Sequence, residues 1–138
     1  MGRQFRAKIL VVEDHCDSRD ALGKLLRMVG YEVGVADGYQ AALEAGKANR
    51  FDLVLCDIGL WDGDGCALLQ ELKRIQDIKG IAVTGYGMKD DVERCLAAGF
   101  KIHVLKPLHY ENLLNVIDEV LDRNQFSAST SSTAIGSE

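Results

Sequence analysis

The chain has no excess of positive charge, no paired-cysteine motif and no apolar run of membrane length, and each absence removes a class of function. Its 16 Lys and Arg residues are outnumbered by 21 Asp and Glu, a formal net charge of −5. That balance argues against nonspecific binding to nucleic acid or to an acidic membrane, both of which rest on clustered cations. Cys16, Cys56, Cys66 and Cys95 fall in separate elements without CxxC spacing, so neither a zinc site nor a disulfide framework is suggested. Reduced thiols are the expected state. The opening residues 1–6 carry two arginines but no apolar h-region follows them, and no stretch reaches the length of a membrane span, so a cytoplasmic location is expected. The motifs GxxxxGK followed by Ser or Thr, GxGxxG and HExxH are also missing, and ATP hydrolysis, dinucleotide binding and zinc peptidase activity lose their usual marks.

What is present is enough for one domain. At 138 residues the chain can bury a real core but is too short for a separate catalytic or DNA-binding domain. Short β-rich runs alternate with longer helical ones, the pattern of repeated βα units around a parallel sheet. Strands are predicted near 8–13, 32–36, 52–57, 80–84 and 102–105. Asp17 or Ser18 is the expected cap of a first helix whose Ala21, Leu22, Leu25, Leu26 and Val29 recur at helical spacing before Gly30 stops it. Further helices are predicted at 38–48, after Gly65 with Leu68, Leu69, Leu72 and Ile75 on one side, at 88–98 with Val92, Cys95 and Leu96 and a stop at Gly99, and at 110–123. From Ser127 the composition is mostly Ser, Thr, Ala and Gly, too polar to order itself. The expected division is a domain over 7–123 and a flexible Ser/Thr-rich tail or linker over 124–138. Five right-handed βα units imply a flavodoxin-like three-layer α/β sandwich, with a five-stranded parallel sheet in the order 2-1-3-4-5.

The chemistry sits at the strand ends. Ile9-Leu-Val-Val12 is followed by Glu13-Asp14, residues 51–56 by Asp57, Gly80-Ile-Ala-Val83 by Thr84, and Ile102-His-Val-Leu105 by Lys106-Pro107. In an open parallel sheet the carboxyl ends converge on one crevice, so three acids, a hydroxyl and an amine would share a pocket. If Asp14 and Asp57 lay about 4 Å apart, the pair would cost roughly 4 kcal/mol at an effective dielectric near 20. Such a cluster must raise its pKa values or bind a cation, and carboxylates with waters suit Mg²⁺, or Mn²⁺ in its place. A carboxylate attacks a phosphoryl group poorly unless a metal neutralises the incoming charge and fixed donors hold the oxygens. Lys106 and the Thr84 hydroxyl offer those donors, which describes phosphoryl transfer to Asp57. Acids and Thr also end strands for purely structural reasons, an explanation that weakens when five such residues stand at strand ends together.

Over residues 7–123 the chain resembles the receiver domain of two-component response regulators, on Lys8-Ile-Leu-Val-Val-Glu-Asp14, Asp52-Leu-Val-Leu-Cys-Asp57, Val83-Thr84 and Lys106-Pro107. The resemblance implies that Asp57 is the phosphoacceptor, Glu13 and Asp14 the metal acids and Thr84 the switch hydroxyl. It further implies that Lys106 contacts phosphate, that the Gly59 carbonyl is a backbone metal ligand and that Lys106–Pro107 is a cis peptide. Glu13-Asp-His-Cys-Asp-Ser-Arg19, Thr84-Gly-Tyr-Gly87 and residues 99–107 are most similar to receivers attached to hybrid histidine kinases. The implied role is signalling rather than enzymatic, with self-catalysed phosphoryl transfer and slow autodephosphorylation only. The implied partners are a histidine kinase or phosphotransfer domain and a fused or downstream signalling protein, with no direct contact to nucleic acid or membrane. Phosphorylation would act on the surface of the fourth helix, fifth strand and fifth helix.

Three positions depart from the family pattern. His103 stands where many members carry a Tyr or Phe that rotates on activation, Trp61 replaces a usual Pro four residues past the acceptor, and Gly59 has no side chain to shield the phosphoryl group from water. Trp61 is expected near the metal. His15, His103 and His109 suggest no metal site, because no spacing places two on one helical face, although His103 is a candidate switch side chain. Asp62-Gly-Asp-Gly65 resembles a calcium loop but is broken at Cys66 and Ala67, and reads as a turn and helix cap. Two rivals remain: a pseudo-receiver that only binds partners, against which the intact set of five residues argues, and an aspartyl-phosphate hydrolase. The hydrolase would want an acid two residues past the nucleophile, where Gly59 stands.

Overall fold

In a computed structural model, which describes residues 7–85 and 89–122, strands and helices alternate as the sequence pattern predicts. The order is β1 (Lys8–Val12), α1 (Cys16–Met28), β2 (Glu32–Ala36), α2 (Tyr39–Ala48), β3 (Leu53–Asp57), β4 (Gly59–Leu60), β5 (Gly63–Asp64), α3 (Gly65–Ile75), β6 (Lys79–Thr84), α4 (Lys89–Ala98), β7 (Ile102–Leu105) and α5 (Tyr110–Asp122). The main sheet is parallel in the order β2-β1-β3-β6-β7. Leaving out the two-residue hairpin strands β4 and β5, that is the expected 2-1-3-4-5. The residues assigned to the tail, 124–138, and the Tyr86–Gly87 part of the loop after Thr84 lie outside the described residues.

The central strands are apolar without alternation because both faces are covered. Leu10, Val12, Val54, Cys56 and Ala82 form one buried cluster with Ala42 of α2, Leu68, Leu69 and Leu72 of α3 and Cys95 of α4. Ile9, Val11, Leu53, Leu55 and Ile81 point to the opposite face by strand alternation and are equally buried. The chain divides into two compact units after Pro107. The second contains α5, in which Leu113, Ile117 and Val120 are buried at helical spacing.

Helix ends follow local chemistry. After α1, Gly30 at φ 108° places its N–H on the Arg27 carbonyl and that of Tyr31 on the Leu26 carbonyl. After α4, Gly99 at φ 115° repeats the arrangement with Leu96 and, through Phe100, with Cys95. Both are Schellman stops. The start of α1 corrects the expectation: the cap position is His15, and Asp17 and Ser18 lie inside the helix. No side chain of His15 caps it; instead Glu13 Oε2 accepts the His15 N–H at 2.9 Å. Val29, Ile75 and Leu96, expected in buried stripes, are exposed. Val29 and Ile75 stand at helix termini, past the packed turns, and Leu96 is rotated about 100° from the inward-facing Cys95.

Two long-range polar contacts lock α2. Asp62, in the β4–β5 turn, accepts the Tyr39 N–H at 2.6 Å and the Gln40 N–H at 3.1 Å, capping a helix that has no side-chain cap of its own. Desolvation is the largest single influence and raises the Asp62 pKa, but the backbone donors together outweigh it and hold the carboxyl below its ordinary value. At the other end, buried Gln76 accepts the Phe51 N–H at 2.7 Å and donates to the carbonyls of Gly46 and Asn49 at 2.9 and 3.0 Å. One amide thereby ties the end of α2 to the residues leading into β3. Replacing Gln76 with Leu keeps the volume but strands the Phe51 donor, so Gln76→Leu should cost about 2 kcal/mol in denaturant unfolding. An unchanged midpoint would show that the amide contributes nothing.

Candidate functional site

Backbone pairing sets the site before any side chain acts. Val12 pairs with Cys56, Asp57 with Val83, and Thr84 with Leu105, so β1, β3, β6 and β7 end nearly level. The ladder runs on by single bonds: the Glu13 N–H reaches the Ala36 carbonyl at 3.1 Å, the Ile58 N–H reaches that of Val83 at 3.2 Å, and the Lys106 N–H reaches that of Thr84 at 2.9 Å. Glu13, Asp57, Thr84 and Lys106 are thus delivered to one edge. Beyond Asp57 the chain must return tightly, and Gly65 makes this possible. A Cβ there would lie 2.6 Å from Ile58 Cα and 2.8 Å from the Asp57 carbonyl oxygen, so only glycine fits without moving the backbone.

Asp57 is 9% exposed and both its oxygens are engaged. Lys106 Nζ donates to Oδ2 at 2.8 Å and the Gly59 N–H to Oδ1 at 3.0 Å. The same ammonium lies 3.4 Å from Glu13 Oε1. Partial burial pulls the Lys106 pKa down, but the hydrogen bond and charge of Asp57, with Glu13 behind it, win and leave it above the ordinary 10.5. With a raised folded pKa, the stability from this pair is complete below the ordinary lysine value and is lost only as pH climbs through the raised one. Lys106 is charged at every neutral pH. The Lys106–Pro107 peptide is cis.

Asp14 and Glu13 gather around a residue that spacing arguments set aside. His15 Nδ1 lies 3.2 Å from Glu13 Oε2 and 3.4 Å from Asp14 Oδ1. Ligand atoms of Glu13, Asp14 and His15 all fall within 4.8 Å of one another, the one such group among the described residues. Asp57 is outside it, drawn instead to Lys106. Helical spacing could not reveal this contact, because His15 precedes α1 and meets the acids through the turn. The only signal was its adjacency to Glu13-Asp14.

Thr84 ends β6 fully buried, and its hydroxyl is the one buried side-chain polar atom among the described residues without a hydrogen-bond partner. An unmet buried hydroxyl costs on the order of 1–3 kcal/mol. Gly59 is exposed, and a Cβ on it would meet nothing within 4 Å, so the face over Gly59 is open. His103 is half-buried in β7, opposite Ala82. Trp61 is 71% exposed, its indole N–H on the Asp37 carbonyl at 3.1 Å, so it serves as a tie to the loop before α2. Asp64 caps α3 by accepting the Cys66 N–H at 3.3 Å, as the turn-and-cap reading expects. Among the described residues no helix is long and apolar enough to cross a membrane.

Comparison with known proteins identifies the family and the fold. A family model described as the response regulator receiver domain matches residues 9–118. The transcriptional regulatory protein ZraR of Escherichia coli (strain K12) is 35% identical over 114 residues, 82% of this chain and 26% of ZraR. The signal transduction histidine-protein kinase BarA of the same organism is 33% identical over 112 residues, 79% of this chain and 12% of BarA. This chain therefore spans about a quarter of one relative and about an eighth of the other. Among solved structures, a CheY-like response regulator receiver domain protein from Methanospirillum hungatei JF-1 superimposes with a TM-score of 0.84 at 31% identity, covering 89% of this chain and 99% of that one. The chain belongs to the response regulator receiver domain family, the phosphoacceptor modules of two-component signalling.

Proposed function

We propose that Asp57 is the residue that accepts the phosphoryl group, taken from a phosphohistidine, and that Glu13, Asp14, Thr84 and Lys106 serve that one reaction. The observation that carries the reading is the Lys106 ammonium 2.8 Å from Asp57 Oδ2, at the end of the central strand and beside an open face over Gly59. A carboxylate oxygen of Asp57 attacks phosphorus, the new O–P bond forms as the N–P bond to the donor imidazole breaks, and the imidazole takes up a proton. Lys106 then follows the charge from the carboxylate to a phosphoryl oxygen. The Thr84 hydroxyl gains in the product the hydrogen bond it lacks in the resting state.

The carboxylates of Glu13, Asp14 and Asp57 with the Gly59 carbonyl make an oxygen donor set suited to Mg²⁺, with Mn²⁺ as the alternative. A cation held there supplies neutralisation of the incoming phosphoryl charge. When Thr84 turns to the phosphoryl group, the end of β6 and the start of α4 move with it, and a partner that prefers that arrangement is favoured by its differential affinity. The donors and receivers of the phosphoryl group are a histidine kinase or a histidine phosphotransfer domain. The output belongs to a fused or downstream signalling protein, since both ZraR and BarA extend far beyond the matched segment.

Incubation with acetyl phosphate and a Mg²⁺ salt should add one hydroxylamine-labile phosphate, absent in Asp57→Asn; the same adduct in that variant would reassign the acceptor. Asp14→Ala should abolish Mg²⁺ binding by calorimetry, and retained full affinity would remove the acids from the metal site. Thr84→Val replaces the unmet hydroxyl by a methyl and should stabilise the resting protein by about 1 kcal/mol. The variant should still accept phosphate yet lose the amide-shift response of β6 and α4, and a wild-type response would break the assigned coupling.

A further inference from the structure

Three buried thiols have no part in the phosphoryl chemistry, and they are not equivalent. Cys56 precedes Asp57 on β3, and its Sγ contacts the Asp57 carbonyl at 3.3 Å. Burial above all, then the charge of Asp57, pushes this thiol well above its ordinary pKa and makes it a poor nucleophile. Cys66 and Cys95 face one another instead. Cys66 lies in the first turn of α3, and its Sγ is 3.6 Å from Cys95 Sγ of α4. A second tie lies alongside: Arg94 Nη1 reaches Asp64 Oδ2 at 3.1 Å, and the same Asp64 caps α3 through the Cys66 N–H. Adjacent residues of α4 therefore meet the cap and the first turn of α3.

We propose that Cys66 and Cys95 are an oxidisable dithiol that closes to an intramolecular disulfide and staples α4 to α3. A disulfide bond is about 2.05 Å long, so sulfurs 3.6 Å apart must approach by roughly 1.5 Å, within reach of side-chain rotation and a slight helix shift. The two-electron oxidant is a peroxide. The Cys66 sulfur attacks one peroxide oxygen, the O–O bond breaks, and with the thiol proton one water leaves a sulfenic acid on Cys66. The Cys95 sulfur then displaces the hydroxyl group, gives up its own proton and forms the S–S bond as a second water departs. Two thiols and one H₂O₂ become one disulfide and two waters. Cys66 is the first to react because it is 5% exposed where Cys95 is fully covered, and because the first turn of a helix favours negative charge developing on sulfur.

The consequence for signalling rests on the receiver reading: a staple between α3 and α4 restrains the helix that follows Thr84, so the oxidised protein accepts phosphate but responds less. The test treats the full chain with dilute hydrogen peroxide and measures intact mass and a non-reducing peptide map. The expected result is a mass lower by two hydrogens, with the peptides containing Cys66 and Cys95 linked, in the wild type and in Cys16→Ser. Cys95→Ser should stop at a Cys66 sulfenic acid captured by dimedone. Alkylatable Cys66 and Cys95 after Cys16 has oxidised, or a link that involves Cys16 or Cys56, would overturn the pairing. Beryllofluoride with Mg²⁺ should then shift the amides of α4 in reduced protein and much less in oxidised protein; equal shifts in both would overturn the restraint. The staple should also form in Asp57→Asn, so failure of the receiver reading is read separately, as absence of shifts in the reduced protein.

Discussion

Parallel pairing of β1, β3, β6 and β7 forces their carboxyl ends to one edge, and what those ends carry is electrostatically costly. Glu13 and Asp57 are both buried carboxylates, and a buried charge without a partner is expensive. The Lys106 ammonium between them offsets that cost, at 2.8 Å from one and 3.4 Å from the other. Removing the ammonium would leave two buried charges uncompensated.

The segment from Asp57 to Gly65 is held by Gly59 on Asp57, by the β4–β5 hairpin, by Trp61 on Asp37 and by Asp62 on the start of α2. These ties do the restraining that a proline at position 61 would do through its fixed φ. Thr84 is the contrast, buried one residue past the partner of Asp57 with its hydroxyl unmet.

Much of this was legible from local pattern. Short apolar runs alternating with helical stretches specified five parallel strands and their order, because strand length and βα alternation leave few topologies. The residues placed together by the sheet, Glu13, Asp57, Thr84 and Lys106, could each be picked from sequence as the first polar group after an apolar run. Gly30 and Gly99 marked their helix stops for a reason internal to the chain, the left-handed conformation each adopts. The start of α1 is set by a bond that the pattern does not show: Glu13, two residues before the cap, accepts the His15 N–H, and Asp17 and Ser18 lie inside the helix.

The sequence by itself determined the element order, the fold class and the set of strand-end residues, since each depends on contacts within a few residues or on the period of apolar positions. Tertiary structure alone decided which polar groups meet across the chain. Asp62 caps a helix that begins 23 residues earlier, Gln76 serves carbonyls and an amide 25 to 30 residues away, and Cys66 meets Cys95 across 29. It also decided that Asp57 holds Lys106 while Asp14 turns to His15. Side-chain partners of this kind depend on distances that the packing of helices on a sheet sets to within an ångström, and no one-dimensional pattern carries that information.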